Sequence, residues 1–177
     1  MPVLVEGISV VIRVRAILSN LKDGPDAFFA LVPNQTFCTD HELVRVGFMA
    51  PTDAEAFVEK LIGAGLTHLK DRAAVDFVVV DQLSGPKSFC PWIDFGHTYL
   101  DSEGTQEVAV CIHKRSQLNT VAIPPGWTYA SSLSKAPNAV YKEQFSKGLK
   151  YLRSKDGVDV YLDLETGKER YIGRTQV

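Results

Sequence analysis

The sequence predicts an α+β fold in which two main helices pack against a mostly antiparallel, curved sheet. Three observations carry this prediction. Residues 3–17 are dense in Val and Ile and nearly alternate in polarity, which is typical of a half-buried strand. Residues 51–62 show helical apolar spacing, and Thr52 followed by Glu55 matches a capping box. The later β-branched runs are separated by turn residues, which indicates strands joined by hairpins.

The other elements follow in order along the chain. Residues 27–32 (AFFALV) are short and apolar, and a strand is favoured there over a helical turn. Residues 43–50 predict a strand with Val44, Val46 and Phe48 on one face and Arg45 on the other. A second helix is predicted at residues 138–154, because large apolar residues recur there at helical spacing. Further strands are predicted at residues 75–81, 92–100, 107–114, 127–133, 158–164 and 169–174.

Length and charge narrow the class of protein. The 177 residues suit a single domain, and 19 basic against 21 acidic side chains argue against nucleic-acid binding. No stretch approaches the ~18 apolar residues of a membrane span, so no membrane association is expected. Three cysteines are few, and an odd number cannot all be paired, so no disulfide framework is expected. We therefore expect a cytoplasmic protein with reduced thiols.

A repeat relates the middle of the chain to its C-terminal part. Setting Gly65 against Gly148 aligns GLTHLKDRAAVDFVV with GLKYLRSKDGVDVYL without a gap. The match relates residues of about 43–83 to 126–166, and the Pro-Pro-Gly break at 124–126 would divide residues 1–177 into halves 1–123 and 124–177. Two explanations stay open. The halves share a duplicated βαβ-containing plan, or two ordinary helix–turn–strand joints share the same glycine and apolar residues by chance.

The stretch FMAPTDAEAFVEKLIGAGL, followed by VDFVVVDQLSGPKSFCPWIDF, resembles a βαβββ module of the vicinal-oxygen-chelate (glyoxalase-like) superfamily over about residues 43–114. The resemblance implies a cupped sheet with a site on its concave face. It also implies an enzyme for a small molecule, either metal-dependent or metal-free. Metal-dependent members usually carry His on the first strand of a module and Glu on the last. Here Arg45 stands on the first strand and Glu107 on the last, so we expect neither a metal nor another cofactor.

No nucleotide-binding, hydrolase, zinc-protease or CxxC motif occurs in the sequence. Catalytic residues therefore stay unassigned, although Cys38 and His41 are close enough in sequence to be considered as nucleophile and base.

The best candidate site is the polar face of the predicted sheet. The ligand-binding residues predicted there are Arg45, Trp92, Asp94, Glu107 and His113. Trp92 would form a stacking wall for a small polar ligand, and Arg45 would fix an anionic group. The same face could be the solvated side of an antiparallel sheet or a homodimer interface. The sequence thus predicts a non-enzymatic binding or protein-interaction domain, with a glyoxalase-like enzyme as the alternative.

Overall fold

A computed structural model describes residues 1–117, 120–135, 149–155, 158–164 and 167–173. The helices in this part are α1 (Val14–Asn20), α2 (Asp26–Leu31) and α3 (Pro51–Gly63). The strands are β1 (Val3–Val5), β2 (Ile8–Arg13), β3 (Cys38–Thr39), β4 (Leu43–Phe48), β5 (Leu69–Lys70), β6 (Ala73–Ala74), β7 (Phe77–Asp81), β8 (Gly85–Pro86), β9 (Ile93–Tyr99), β10 (Glu107–His113), β11 (Leu149–Lys155), β12 (Val158–Asp163) and β13 (Glu169–Gly173). The fold is α+β with antiparallel sheets, as the sequence predicts.

Two sheets and one layer of helices are stacked on each other. Sheet I has the strand order β3-β4-β2-β7-β8, and sheet II has the order β1-β10-β9. A core of apolar residues from β2, β4 and β7 packs against the three helices on one side of sheet I. A second core, built from both sheets, fills the space between sheet I and sheet II. Sheet I is therefore covered on both faces, by helices on one and by sheet II on the other.

Gly7 divides the predicted N-terminal strand between the two sheets. Its φ of +57° is a conformation that favours glycine, and an added Cβ would lie 2.5 Å from the main-chain oxygen of Phe48. The chain leaves sheet II after β1 and enters sheet I at β2. The alternation in β2 is as predicted, since Ile8, Val10 and Ile12 all face the helices.

Helix α3 is the element that the sequence predicts best. It begins at Pro51, with Ala50 as its N-cap and no capping hydrogen bond from a side chain, so the predicted capping box is not formed. Proline suits the first position of a helix because its φ is preset and its missing N–H would have no helical partner. Ala54, Phe57 and Leu61 are buried against sheet I, as the apolar spacing predicts.

Four further predictions of local structure are wrong. The strand predicted over residues 3–17 ends at Arg13, because Val14 begins helix α1. The run favoured as a strand at 27–32 belongs to helix α2, which begins at Asp26. Residues 129–131 form a short 3₁₀ turn inside the predicted strand 127–133. Leu149–Lys155 is strand β11 rather than the end of a helix, and a register shift between Tyr151 and Arg153 marks a bulge. A bulge displaces the strand alternation by one residue, which lets apolar residues three apart occur in a strand.

The predicted hairpins are confirmed. Strands β9 and β10 pair along their whole length, from Glu107 opposite Tyr99 to His113 opposite Ile93. Strand β12 pairs with β13 and also with β11, which gives a C-terminal three-stranded sheet that contacts α3. The division into halves 1–123 and 124–177 stays a prediction, since residues 136–148 lie outside the described residues.

Candidate functional site

Arg45 lies in the interior between the two sheets. It sits at the centre of β4 and is fully buried. Its Nε donates to Ser9 Oγ at 2.8 Å, and its Nη1 donates to the main-chain oxygen of Thr36 at 3.1 Å. Its Nη2 donates to the main-chain oxygen of Glu6 at 2.9 Å. The guanidinium thus donates to acceptors of the protein itself and links neighbouring segments of the chain. The sequence predicted an anion-binding group at this position.

The carboxylate of Glu6 extends this set of bonds toward the chain beyond residue 123. Glu6 is buried, and its Oε2 accepts the indole N–H of Trp127 at 3.0 Å. Its Oε1 accepts the main-chain N–H of Ser134 at 3.1 Å and the hydroxyl of Ser134 at 2.8 Å. Buried charges are tolerated when they are hydrogen-bonded in this way. The Glu6–Arg45 network, defined by Glu6, Ser9, Thr36, Arg45, Trp127 and Ser134, is therefore structural.

Gly47 makes room for the buried arginine. It lies two residues after Arg45 in β4 and so shares its face of the strand. A Cβ at position 47 would overlap the Arg45 guanidinium. A glycine inside a strand often marks such a close approach.

Trp92 and His113 come together at one end of the sandwich. Their rings are stacked with centroids 6.5 Å apart and planes inclined by 28°. Both side chains are buried, and Trp92 Nε1 donates to the main-chain oxygen of Ala74 at 3.0 Å. The guanidinium of Arg13 lies 5.4 Å from the centre of the Trp92 ring, which is cation–π distance. The arginine beside the tryptophan is therefore Arg13 rather than the predicted Arg45.

Asp94 and Glu107 are exposed and lie apart from this pair. Asp94 is 4.0 Å from the ammonium of Lys114. Glu107 begins β10 and His113 ends it, so about 20 Å of strand separates them. The five residues thus do not share one open surface, because sheet II covers the face of sheet I on which Arg45 lies. Their ligand-binding role stays a prediction.

A cleft on the other face of sheet I is the better candidate site. It has a volume of about 500 Å³ and mostly apolar walls. We call it the α3 cleft, and it is lined by Ile8, Pro51, Ala54, Glu55, Val58, Glu59, His68, Val79, Asp81 and Lys87. Ile8 and Val79 supply the floor from adjacent strands, and Val58 supplies a wall from α3. Its size and apolar character are those of pockets that bind small molecules.

The ring of His68 is part of the lining of the α3 cleft. It stacks on Phe77 with centroids 4.7 Å apart and planes inclined by 10°. Its Nε2 is buried and has no hydrogen-bond partner among the described residues. Burial lowers the pKa of this imidazole. The neutral ring therefore adds an aromatic surface to the cleft and no charge at neutral pH.

A second cavity, of about 590 Å³, lies beside the end of β9. Its lining is Pro2, Thr98, Tyr99, Leu100, Thr120, Val121 and Ile123. Hydroxyl and main-chain groups make it more polar than the α3 cleft.

The chemistry of the thiols does not suit nucleophilic catalysis. All three cysteines are free and buried. Burial raises the pKa of Cys38 to about 11, and it also raises the pKa of Cys90 and of Cys111. Thiolates are the reactive form, so these buried thiols are held in the unreactive form. Because His41 is exposed, Cys38 and His41 do not form an enclosed pair.

In the part of the chain that the structure describes, no three His, Cys, Asp or Glu side chains are grouped closely enough to hold a metal ion. Within the same part, no helix is long and apolar enough to cross a membrane.

Two histidines are expected to make the stability of the protein depend on pH. Burial lowers the pKa of His68 and, together with the positive charge of Arg13, that of His113, against the opposite effect of Glu42. Because the unfolded pKa is about 6.5, the unfolded chain takes up more protons than the folded chain below that pH. We expect the free energy of unfolding to fall as the pH decreases from about 6.5 toward the folded pKa values, and not to depend on these groups above it.

Urea unfolding at a series of pH values measures this dependence. The His113→Gln variant should lose less stability on acidification, because glutamine does not take up a proton. Glutamine is chosen because its amide oxygen can still accept the Arg115 N–H that His113 Nδ1 accepts at 3.2 Å. His97→Gln, at an exposed position, is the matched control. An unchanged acid dependence in His113→Gln would rule out His113 as its source.

Comparisons with known proteins return no relatives. No family model matches the chain, and neither the search of curated proteins nor that of solved structures finds a match. The strands after α3 divide between two sheets, with β7 in sheet I and β9 and β10 in sheet II. The glyoxalase-like resemblance therefore stays a prediction.

One residue in the sequence points to the α3 cleft, although the helical pattern assigns it to the core. Val58 belongs to the apolar stripe of α3, yet it is only half-buried and lines the cleft. An apolar residue of the stripe that the core does not fully cover indicates an incompletely filled side of the helix.

Proposed function

We propose that the protein is a non-enzymatic binding protein that holds a small, largely apolar molecule in the α3 cleft. The observation that carries this proposal is the cleft itself, a volume of about 500 Å³ walled by apolar side chains of α3 and sheet I. Specific ligand pockets commonly measure ~300–1,000 Å³ and combine apolar walls with a few polar groups. A cytoplasmic location is part of the proposal, and three free, buried thiols are in keeping with a reducing compartment.

The ligand is expected to be more apolar than the small polar molecule predicted from the sequence. The floor and walls of the cleft offer hydrocarbon surface from Ile8, Val58 and Val79. The charged groups of the lining stand on exposed side chains of α3 and in the Asp81–Lys87 pair. A ligand would therefore place its hydrocarbon part inward and any charged group outward.

A series of straight-chain alcohols tests the proposal. We expect saturable, one-to-one binding by calorimetry, with affinity rising by up to about four-fold for each added methylene, because each buried CH₂ contributes ~0.8 kcal/mol. The increase should stop once the chain is as long as the cleft. Alcohols that never saturate the protein, or that bind with no dependence on chain length, would contradict the proposal.

Other hypotheses give different results with the same protein. A homodimer or a protein partner on this face would appear as a concentration-dependent mass in solution scattering, without alcohol binding. The glyoxalase-like enzyme would be supported by a stoichiometric divalent metal in the purified protein.

A further inference from the structure

The charges around the α3 cleft are unequal in sign. Among the described residues, four ionised groups line it, the carboxylates of Glu55, Glu59 and Asp81 and the ammonium of Lys87. Lys87 Nζ lies 3.8 Å from Asp81 Oδ2 and donates to Ser84 Oγ at 3.1 Å. The charges of this pair largely cancel, so the two glutamates give the described lining a net negative charge.

The Asp81 carboxylate is also occupied by its own turn. Its Oδ1 accepts the main-chain N–H of Leu83 at 2.8 Å and that of Ser84 at 2.9 Å. Asp81 therefore holds the turn after β7 and the Lys87 side chain, and it is not an open ligand group.

Glu55 and Glu59 are placed differently. They are one turn apart on α3, so both project from the same side of the helix at the rim of the cleft. Both are exposed, and neither has a hydrogen-bond or ion-pair partner among the described residues. Like charges at this spacing repel each other, and a cation between them would remove the repulsion.

We propose that the ligand of the α3 cleft is an apolar amine, with its hydrocarbon part over Ile8, Val58 and Val79 and its ammonium group between Glu55 and Glu59. This inference rests on the proposed function, because it assigns the charge of the molecule bound at the same site. A carboxylate on the same hydrocarbon would be repelled by both glutamates. The neutral ring of His68, which also lines the cleft, adds no positive charge to oppose an amine.

Three ligands of equal chain length test the charge directly. Octylamine, octan-1-ol and octanoate are titrated into the full-length protein by calorimetry at neutral pH and low ionic strength. We expect octylamine to bind about five-fold more tightly than octanol, the effect of one or two exposed ion pairs, and octanoate to bind more weakly than octanol. The preference should decrease at high salt because exposed charges are screened.

The double variant Glu55→Gln/Glu59→Gln should bind the three ligands with nearly equal affinity. Glu103→Gln, which removes an exposed carboxylate in the turn after β9, should keep the preference for the amine. Equal binding of all three ligands to the unchanged protein would overturn the inference and leave the proposed function standing. A preference that survives in the double variant would overturn the role of the two glutamates. Failure of all three to bind would overturn the proposed function and the inference with it.

Discussion

Replacing Arg45 with methionine is expected to destabilise the protein by about 3–5 kcal/mol. The change removes three hydrogen bonds that the buried guanidinium donates. The main-chain oxygen of Thr36 loses the Arg45 donor, whereas that of Glu6 keeps the Ser9 hydroxyl at 3.2 Å. A buried acceptor without a partner costs about 1–3 kcal/mol, and each lost hydrogen bond from a charged donor adds about 1.5–3 kcal/mol. Urea unfolding followed by tryptophan fluorescence measures the loss.

Arg153→Met is the matched control for this effect. Arg153 is exposed and forms two parallel bonds of 2.9 Å with the carboxylate of Glu169. Exposed ion pairs contribute about 0–1 kcal/mol, so this variant should be close to the unchanged protein. Equal losses in the two variants would show that the Glu6–Arg45 network does not stabilise the interior.

Replacing Val58 with tryptophan is expected to weaken alcohol binding by at least about ten-fold, a loss of about 1.4 kcal/mol or more. Val58 is half-buried on the wall of the α3 cleft, where an indole ring would occupy the volume available to a ligand. Stability should fall by no more than about 1–3 kcal/mol, because Val58 packs against the helix-side core but also borders the open cleft, into which the ring can extend. Calorimetry and urea unfolding on the same sample separate the two effects.

The control is Ile62→Trp, which places the same ring on the same helix outside the cleft lining. Ile62 is half exposed, so its replacement should keep both stability and binding. If Val58→Trp bound alcohols with unchanged affinity, the ligand would have to bind outside the α3 cleft.

Local patterns predicted much of the fold. The spacing of Ala54, Phe57 and Leu61 located helix α3, and alternation in β2 and β4 assigned the residues that face the helices. The secondary structure of short segments was harder to predict. Six residues at Asp26–Leu31 are too few for a period to separate strand from helix. In β11 the bulge lies beside Leu152, whose spacing of three from Leu149 also fits a helix.

The candidate site could not be predicted in the same way, because alternation assigns a residue to a face without saying what covers that face. The alternation correctly assigned Arg45 to the face of β4 that does not carry Val44 and Val46. That face is buried, however, because sheet II packs against it. Gly47 beside it was the local signal of a closely packed neighbour. The α3 cleft depends on where helices leave sheet I uncovered, which is a property of tertiary packing rather than of any one segment.

The most direct measurement of the central claim is a map of amide chemical shifts during titration with octan-1-ol. The amides of Ala54, Val58 and Val79 should shift together and saturate with one affinity, whereas those of Cys111 and His113 should stay unchanged. Shifts grouped around Trp92 and His113, or no saturable shift at all, would contradict a ligand in the α3 cleft.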